Sequence, residues 1–432
     1  MAKPLPKPLL VRGGRVIDPS QGIDGRFDLL LEDGAVARLD ESLEARRGDE
    51  VVDAAGLVVC PGLIDIHVHL REPGQEYKET IESGTRAAAA GGFTAVACMP
   101  NTVPVNDNRA VTESIVAEAQ RWGYARVYPV GAVSAGMGGE SLAEIGDMVR
   151  AGAVAVSDDG LPVRHPELMR RALLYARHFR LPITQHAEDL ELTAQGVMHE
   201  GEWSTRLGLA GIPGASEDLV VARDLILAEE TGGRYHVAHL STARSLELVR
   251  RARERGVAVT CEVTPHHLVL TEAAVAETGF STHTKMKPPL RSEADRQALV
   301  AGLADGTVDA IATDHAPHHA DEKDVPFDLA PFGIVGLETA LSLCLDRLVH
   351  GGVIDLPRLV ELLSTGPARC YGLPGGTLAV GSPADVTLFD PERTVTVDAA
   401  TFRSKSRNTP FHGWQLRGAP VRTILAGRPV EP

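Results

Sequence analysis

His67-Val68-His69 closes the apolar run Pro61-Gly62-Leu63-Ile64-Asp65-Ile66 and sets two imidazoles one residue apart. In an extended strand the side chains at i and i+2 leave the same face, so both rings address one point while Val68 turns away. Such a pair suits a divalent metal. The same residue types recur where later apolar runs stop: Ser157-Asp158-Asp159-Gly160, Gln185-His186-Ala187-Glu188, His236-Val237-Ala238-His239-Leu240-Ser241 and Ala312-Thr313-Asp314-His315-Ala316-Pro317-His318. The candidate ligands are His67, His69, Asp159, His186, His239 and Asp314. Four imidazoles and two carboxylates are more than one tetrahedral ion takes, so the set predicts Zn²⁺ or a similar borderline ion, with room for two. His67, His69 and Asp314 would hold one ion, His186 and His239 the other, with Asp159 as the bridge. A water shared by such cations loses its proton near neutral pH and becomes a hydroxide nucleophile. Asp314, beside that water, is placed to take its proton and deliver it to a leaving nitrogen.

Residues so far apart in the chain need a scaffold that gathers strand ends. From about residue 60 to 320, short β-branched runs alternate with longer helical stretches, the pattern of repeated βα units around a parallel sheet. Eight runs can be counted: Leu63–His69, Phe93–Met99, Arg126–Val133, Ala153–Ser157, Pro182–His186, Tyr235–Leu240, Val257–Val263 and Ala310–Thr313. They predict a (β/α)8 barrel of the TIM type, whose active site lies at the carboxyl ends of the strands. The candidate ligands end five of those runs.

The two ends of the chain have a different texture. Residues 8–60 carry short alternating runs such as Leu9–Val16, Ala35–Leu39 and Glu50–Asp53, and residues 375–432 repeat it in Ala384–Phe389, Thr394–Val397 and Val421–Ala426. Neither end alone covers a sheet, and domain termini commonly lie together. We expect residues 1–60 and 371–432 to form one small β-sandwich domain beside a barrel of residues 61–370.

Composition sets the boundaries. The chain has 432 residues, 44% of them apolar, and 43 basic against 58 acidic side chains give a net charge of -15. That charge opposes adhesion to nucleic acid or anionic lipid. The amino terminus, Met1 to Pro8, lacks the apolar core of a secretory signal, and no segment reaches the roughly 18 apolar residues of a membrane helix. Five cysteines stand singly with no C-x-x-C pair, which suits free thiols in a reducing compartment. A cytoplasmic enzyme is expected.

The motifs also carry a resemblance. The string Pro61 to Gly74, with its His-x-His-x-Arg core, resembles the first barrel strand of the cyclic-amide branch of the amidohydrolase superfamily. Together with Met99-Pro100-Asn101-Thr102, Thr313-Asp314-His315-Ala316-Pro317-His318 and Pro331-Phe332-Gly333-Ile334-Val335-Gly336-Leu337-Glu338-Thr339, it is similar to the longer type of dihydroorotase over nearly the whole chain. The resemblance implies reversible cyclisation of N-carbamoyl-L-aspartate to (S)-dihydroorotate in de novo pyrimidine (UMP) synthesis. It also implies that Arg71, Asn101 and His318 bind the substrate carboxylate and ring, with Lys287, Pro331, Phe332 and Gly333 in the same pocket. A guanidinium fork grips a carboxylate bidentately, and an amide adds a directional donor. As protein partners it implies a second copy of the chain and aspartate carbamoyltransferase.

Two departures stand out. Hydantoinases bridge their metals with a carboxylated lysine, and after the fourth run this chain has Asp159 instead; within Lys285-Met286-Lys287-Pro288, Lys287 occupies a place commonly held by asparagine. The competing readings are an allantoinase or hydantoinase, disfavoured by the missing lysine and the Arg71/Asn101 pair, and a non-catalytic scaffold for the transferase, which would have lost ligands.

Overall fold

Residues 7–432 are described by the computed structural model; the first six residues, part of the amino terminus read above as lacking a secretory core, lie outside the described residues. Eight parallel strands lie side by side in chain order: β1 (Leu63–Val68), β2 (Phe93–Cys98), β3 (Arg126–Gly131), β4 (Ala155–Val156), β5 (Pro182–Gln185), β6 (Arg234–Val237), β7 (Val259–Val263) and β8 (Ala310–Ile311). A parallel bridge between Val68 and His315, with the His69 N–H donating to the His315 carbonyl at 2.8 Å, brings the chain after β8 against β1 and closes the ring. This is the (β/α)8 barrel that the alternation predicts. Every residue of β1 and β2 is buried, as a strand enclosed on both faces requires.

Helices α1 (Ile81–Ala90), α2 (Arg109–Trp122), α3 (Ile145–Ala151), α4 (Pro166–Ala176), α5 (Ala215–Thr231), α6 (Ala243–Glu254) and α7 (Glu293–Ala304) connect successive strands. Side chains of Thr80, Asn108, Thr242 and Ser292 accept from first-turn N–H groups, while Gly123, Gly152 and Gly232 end helices in the left-handed conformation. These caps satisfy backbone groups that a helix leaves open at its ends. Strand β8 is shorter than its apolar run because the Thr313 N–H donates to the Asp65 carboxylate and leaves the ladder.

A second sheet has the order Arg428–Pro429, Gln415–Leu425, Val386–Thr396, Val58–Pro61, Leu9–Asp18, Ile23–Glu32 and Ala35–Asp40, with Glu50–Asp53 parallel to Leu9–Asp18. Its halves come from opposite ends of the chain. They meet where Val386–Thr396 runs antiparallel to Val58–Pro61, Leu388 opposite Val59. The runs 384–389 and 394–397 read as separate strands are one strand, with a register shift between Asp390 and Thr394. Pro391 has no N–H for the ladder, and the Asp390 carboxylate accepts from the N–H groups of Glu392 and Arg393 instead.

Gly62 joins the two sheets, since Val58–Pro61 passes through it into β1. A Cβ there would lie 2.1 Å from Thr94 Oγ1, a separation that no side chain tolerates. Its N–H donates to the Asp385 carbonyl at 2.9 Å, and Ser364 Oγ donates to its carbonyl at 2.8 Å. Gly62→Ala is expected to lose about 1–3 kcal/mol through overpacking, read as a lower urea midpoint at unchanged slope. Thr94→Ala in the same chain should recover part of that loss.

Candidate active site

The six candidate ligands sit at the ends of five strands: His67 and His69 at β1, Asp159 after β4, His186 after β5, His239 after β6 and Asp314 after β8. Asp159 is their hub. Its Oδ1 lies 3.4 Å from His67 Nε2, 3.5 Å from His239 Nε2 and 3.7 Å from His186 Nδ1, and its Oδ2 lies 3.4 Å from His69 Nε2. Asp314 Oδ1 is 3.1 Å from His69 Nε2 and 3.7 Å from His67 Nε2. His186 Nδ1 and His239 Nε2 approach to 2.9 Å. All six side chains are buried. Their donor atoms form two triads, His67–Asp159–His239 and His67–His69–Asp314, each within 4.8 Å. His67 therefore belongs to both groups, where the spacing alone assigns it to His69 and Asp314.

Three of the four imidazoles are held from behind. His67 Nδ1 lies 2.6 Å from Glu262 Oε1, His69 Nδ1 2.8 Å from Asn101 Oδ1, and His186 Nε2 3.2 Å from Glu188 Oε2. Carboxylate and amide oxygens only accept, so each outer nitrogen carries a proton, and a bound cation would displace any proton from the inner nitrogens and take their lone pairs. Inside the cluster His67 Nε2 and Asp159 Oδ1 are buried with no hydrogen-bond partner. Leaving such atoms bare costs about 1–3 kcal/mol each, and coordination removes that cost. These residues fit a divalent cation.

Burial by itself would keep both aspartates protonated, but the imidazoles outweigh it. The charge of His67, with the His186 and His239 rings close beside it, holds Asp159 well below the usual carboxylate range. The His69 hydrogen bond and the charges of His67 and His69 draw Asp314 down to about 2. Both are anionic at neutral pH, as metal ligands must be.

Three residues of the site carry positive φ: Arg71 at 62°, His239 at 32° and Asp314 at 49°. Left-handed backbone costs a non-glycine residue on the order of 1 kcal/mol or more and persists where the surroundings enforce it. Here they do. The Asp65 carboxylate accepts from the N–H groups of His67 and Thr313, both at 3.1 Å, and clamps the first strand to the last. The Glu217 carboxylate accepts from the N–H groups of Ser241 and Thr242 at 3.0 and 3.1 Å and fixes the chain after His239.

A cavity of about 340 Å³ opens onto the cluster, and its lining includes Arg71, Asn101, Lys287, His318, Pro331, Phe332 and Gly333. Arg71 is buried, with Nε donating to the Pro317 carbonyl at 3.2 Å. Among the described residues no carboxylate pairs with it. Asn101 spends its oxygen on His69 and keeps its amide N–H groups for the cavity. Lys287 Nζ is 2.9 Å from Glu188 Oε1 and 5.2 Å from the centre of the Phe332 ring. His318 Nε2 donates to the Phe332 carbonyl at 2.8 Å; burial, with the charge of Arg71, pushes this imidazole down to about 2 and keeps it neutral. Gly333 has φ 122°, and a Cβ there would lie 2.7 Å from Ala316 Cβ, so glycine is required where this wall turns. Asn408 Nδ2 braces the turn by donating to the carbonyls of Ala316 and Gly333 at 3.0 and 3.1 Å.

A family model described as dihydro-orotase-like matches residues 56–245. A dihydroorotase of Syntrophotalea carbinolica is 57% identical over 97% of this chain and 98% of its own length, and one of Anaeromyxobacter dehalogenans is 58% identical over 98% of each. The chain belongs to the dihydroorotase family. Among solved structures, an L-hydantoinase (dihydropyrimidinase) from Arthrobacter aurescens aligns with a TM-score of 0.88 at 28% identity, covering 98% of this chain and 95% of its own. The barrel with its β domain is thus shared across cyclic amidohydrolases, while sequence identity is about twice as high to the dihydroorotases.

Glu262, Asp65, Glu217 and Glu188 escape a search for ligands by spacing. The one visible signal is a carboxylate inside an otherwise apolar strand, as in Cys261-Glu262-Val263 and Ile64-Asp65-Ile66. Glu262 has a further partner in His236 Nε2 at 3.1 Å. Glu262→Gln puts an amide that can donate in place of an obligate acceptor, so His67 loses its enforced tautomer. We expect metal affinity to fall about 10–100-fold, measured by metal retained against a chelator; full retention would remove the orienting role of Glu262.

Proposed function

We propose that this dihydroorotase-family chain opens and closes the ring of (S)-dihydroorotate, interconverting it with N-carbamoyl-L-aspartate in pyrimidine synthesis. The observation that carries the substrate choice is Arg71, a buried guanidinium without a carboxylate partner among the described residues, in the cavity that also exposes His69, Asp159, His186, His239 and Asp314. A ring bearing an exocyclic carboxylate supplies the missing partner. A hydantoin or allantoin lacking that group leaves a buried charge unpaired, which a binding site penalises severely.

Arg71 and the Asn101 amide would hold the carboxylate, and Lys287 would add positive charge at the side where carbamoyl-aspartate carries its second one. Pro331, Phe332 and Gly333 would form the wall against the ring, with His318 behind it. When bound, a divalent ion supplies polarisation of the ring carbonyl and acidification of the attacking water. Asp314, ionised and on the rim of the cluster, takes the proton that this water releases and returns it to the ring nitrogen as the C–N bond breaks. Cyclisation follows the same path in reverse. Zn²⁺ is the ion that four imidazoles and two carboxylates suit best, and the reach of Asp159 to all four imidazoles supports a second ion alongside the first. Five buried free cysteines agree with a reducing, cytoplasmic setting.

The decisive assay offers carbamoyl-aspartate, dihydroorotate, hydantoin and allantoin to the purified, metal-analysed protein. Preference for hydantoin or allantoin over dihydroorotate would overturn the substrate assignment. Asp314→Asn is expected to lower kcat at least 10²-fold, the usual worth of a positioned proton carrier. A rate within threefold of the parent, at equal metal content, would take that role from Asp314.

A further inference from the structure

A second cavity, of about 510 Å³, lies on the other side of His318 and is lined by Lys323, Lys405, Arg407, His283 and His319. Its charge is unusual for so acidic a chain. Among the described residues none of its three basic side chains pairs with a carboxylate; backbone carbonyls hold them instead, and because burial pushes the Lys323 ammonium down to about 7, the standing charges near neutral pH are Lys405 and Arg407. Lys323 Nζ donates to the carbonyls of Thr282 and Pro331 at 3.2 and 2.6 Å. Lys405 Nζ donates to the Glu76 carbonyl and Arg407 Nη1 to that of Ser406. One carboxylate, Asp324, shares the lining, and the nearby Glu322 has Oε1 3.1 Å from Lys78 Nζ and Oε2 3.5 Å from His318 Nδ1. Two standing cations, with a buried lysine that an adjacent anion would hold in its charged form, set up a local attraction for an anion.

The neutral groups of the cavity narrow the anion's identity. His318 gives its Nε2–H to the Phe332 carbonyl, so its Nδ1 is an acceptor; that atom is buried without a donor, and its neighbour at 3.5 Å, Glu322 Oε2, is a second acceptor. His283 Nδ1 is likewise buried and unpartnered; with no bond dictating its tautomer it is free to donate. A site with two standing cations, a titrating lysine, one acceptor and one donor matches an oxyanion that keeps an O–H while carrying charge. Hydrogenphosphate does so near neutral pH, and a dicarboxylate does not.

We propose that this cavity binds a phosphate group, as the free ion or as a phosphomonoester, at a site separated from the metal cavity by His318. The experiment is calorimetric titration of the metal-loaded protein at constant ionic strength with inorganic phosphate, glycerol phosphate and succinate. Phosphate is expected to bind, to remain bound in the presence of saturating dihydroorotate, and to outbind succinate at least tenfold; stronger binding of the monoester would make a phosphorylated metabolite the ligand. Lys405→Glu with Arg407→Glu should weaken phosphate at least tenfold and leave dihydroorotate ring opening within twofold, and Lys405→Gln with Arg407→Gln tests the same point without charge reversal. Displacement by dihydroorotate would put the phosphate on the metal cluster and overturn the proposal. So would equal affinity for succinate, or unchanged affinity in both double variants.

Discussion

The carboxylate of Asp159, buried among four imidazoles, is the interaction around which the barrel mouth is organised. Ionised groups taken out of water cost several kcal/mol each unless neighbours replace their hydration. Here the replacement is collective. Asp159 faces the inner nitrogens of His67, His69, His186 and His239, while Glu262, Asn101 and Glu188 hold the outer nitrogens of three of those rings. Removing any outer acceptor frees a ring to turn or change tautomer, and the cluster loses one aimed lone pair. The strained backbone at His239 and Asp314 belongs to the same economy, because Glu217 and Asp65 enforce it from below.

Much of this arrangement was legible in the linear chain because two simple rules applied. Side chains at i and i+2 of a strand share a face, and barrel strands present their carboxyl ends to one mouth; together they lead from apolar runs to His67, His69, Asp159, His186, His239 and Asp314. The supporting carboxylates obey neither rule. Glu262 is one acidic residue in a buried strand, and only the three-dimensional register reveals that it meets His67 and His236. The grouping of His67 with Asp159 and His239 depended likewise on how far each ring reaches across the barrel. Element ends were less readable than elements, since β8 stops where Asp65 captures a backbone N–H from the ladder, an event set by a residue far earlier in the chain.

A shared fold does not assign a shared substrate. The structure superposes closely on a hydantoinase at 28% identity, so the architecture alone leaves several cyclic amides open. On the proposed function, discrimination rests on side chains at the cavity wall. Arg71 brings a charge that a ring without a carboxylate would not answer, and Asn101 serves both the cavity and a candidate metal ligand, its oxygen fixing His69. Lys287 is drawn toward Glu188, which also holds His186, so the loop at residues 285–288 and the metal cluster share one carboxylate. Substitutions at the wall are thus felt at the cluster.

The joining of both chain ends in one sheet has a temporal consequence for a protein made from its amino terminus. Until residues 386–396 emerge, Val58–Pro61 has no Val386–Thr396 beside it, which leaves that strand edge next to Gly62, at the root of the strand that bears His67, without its partner. Exposed edges invite pairing with other chains. The root of β1 therefore gains its sealing neighbour only after the whole barrel sequence has been made.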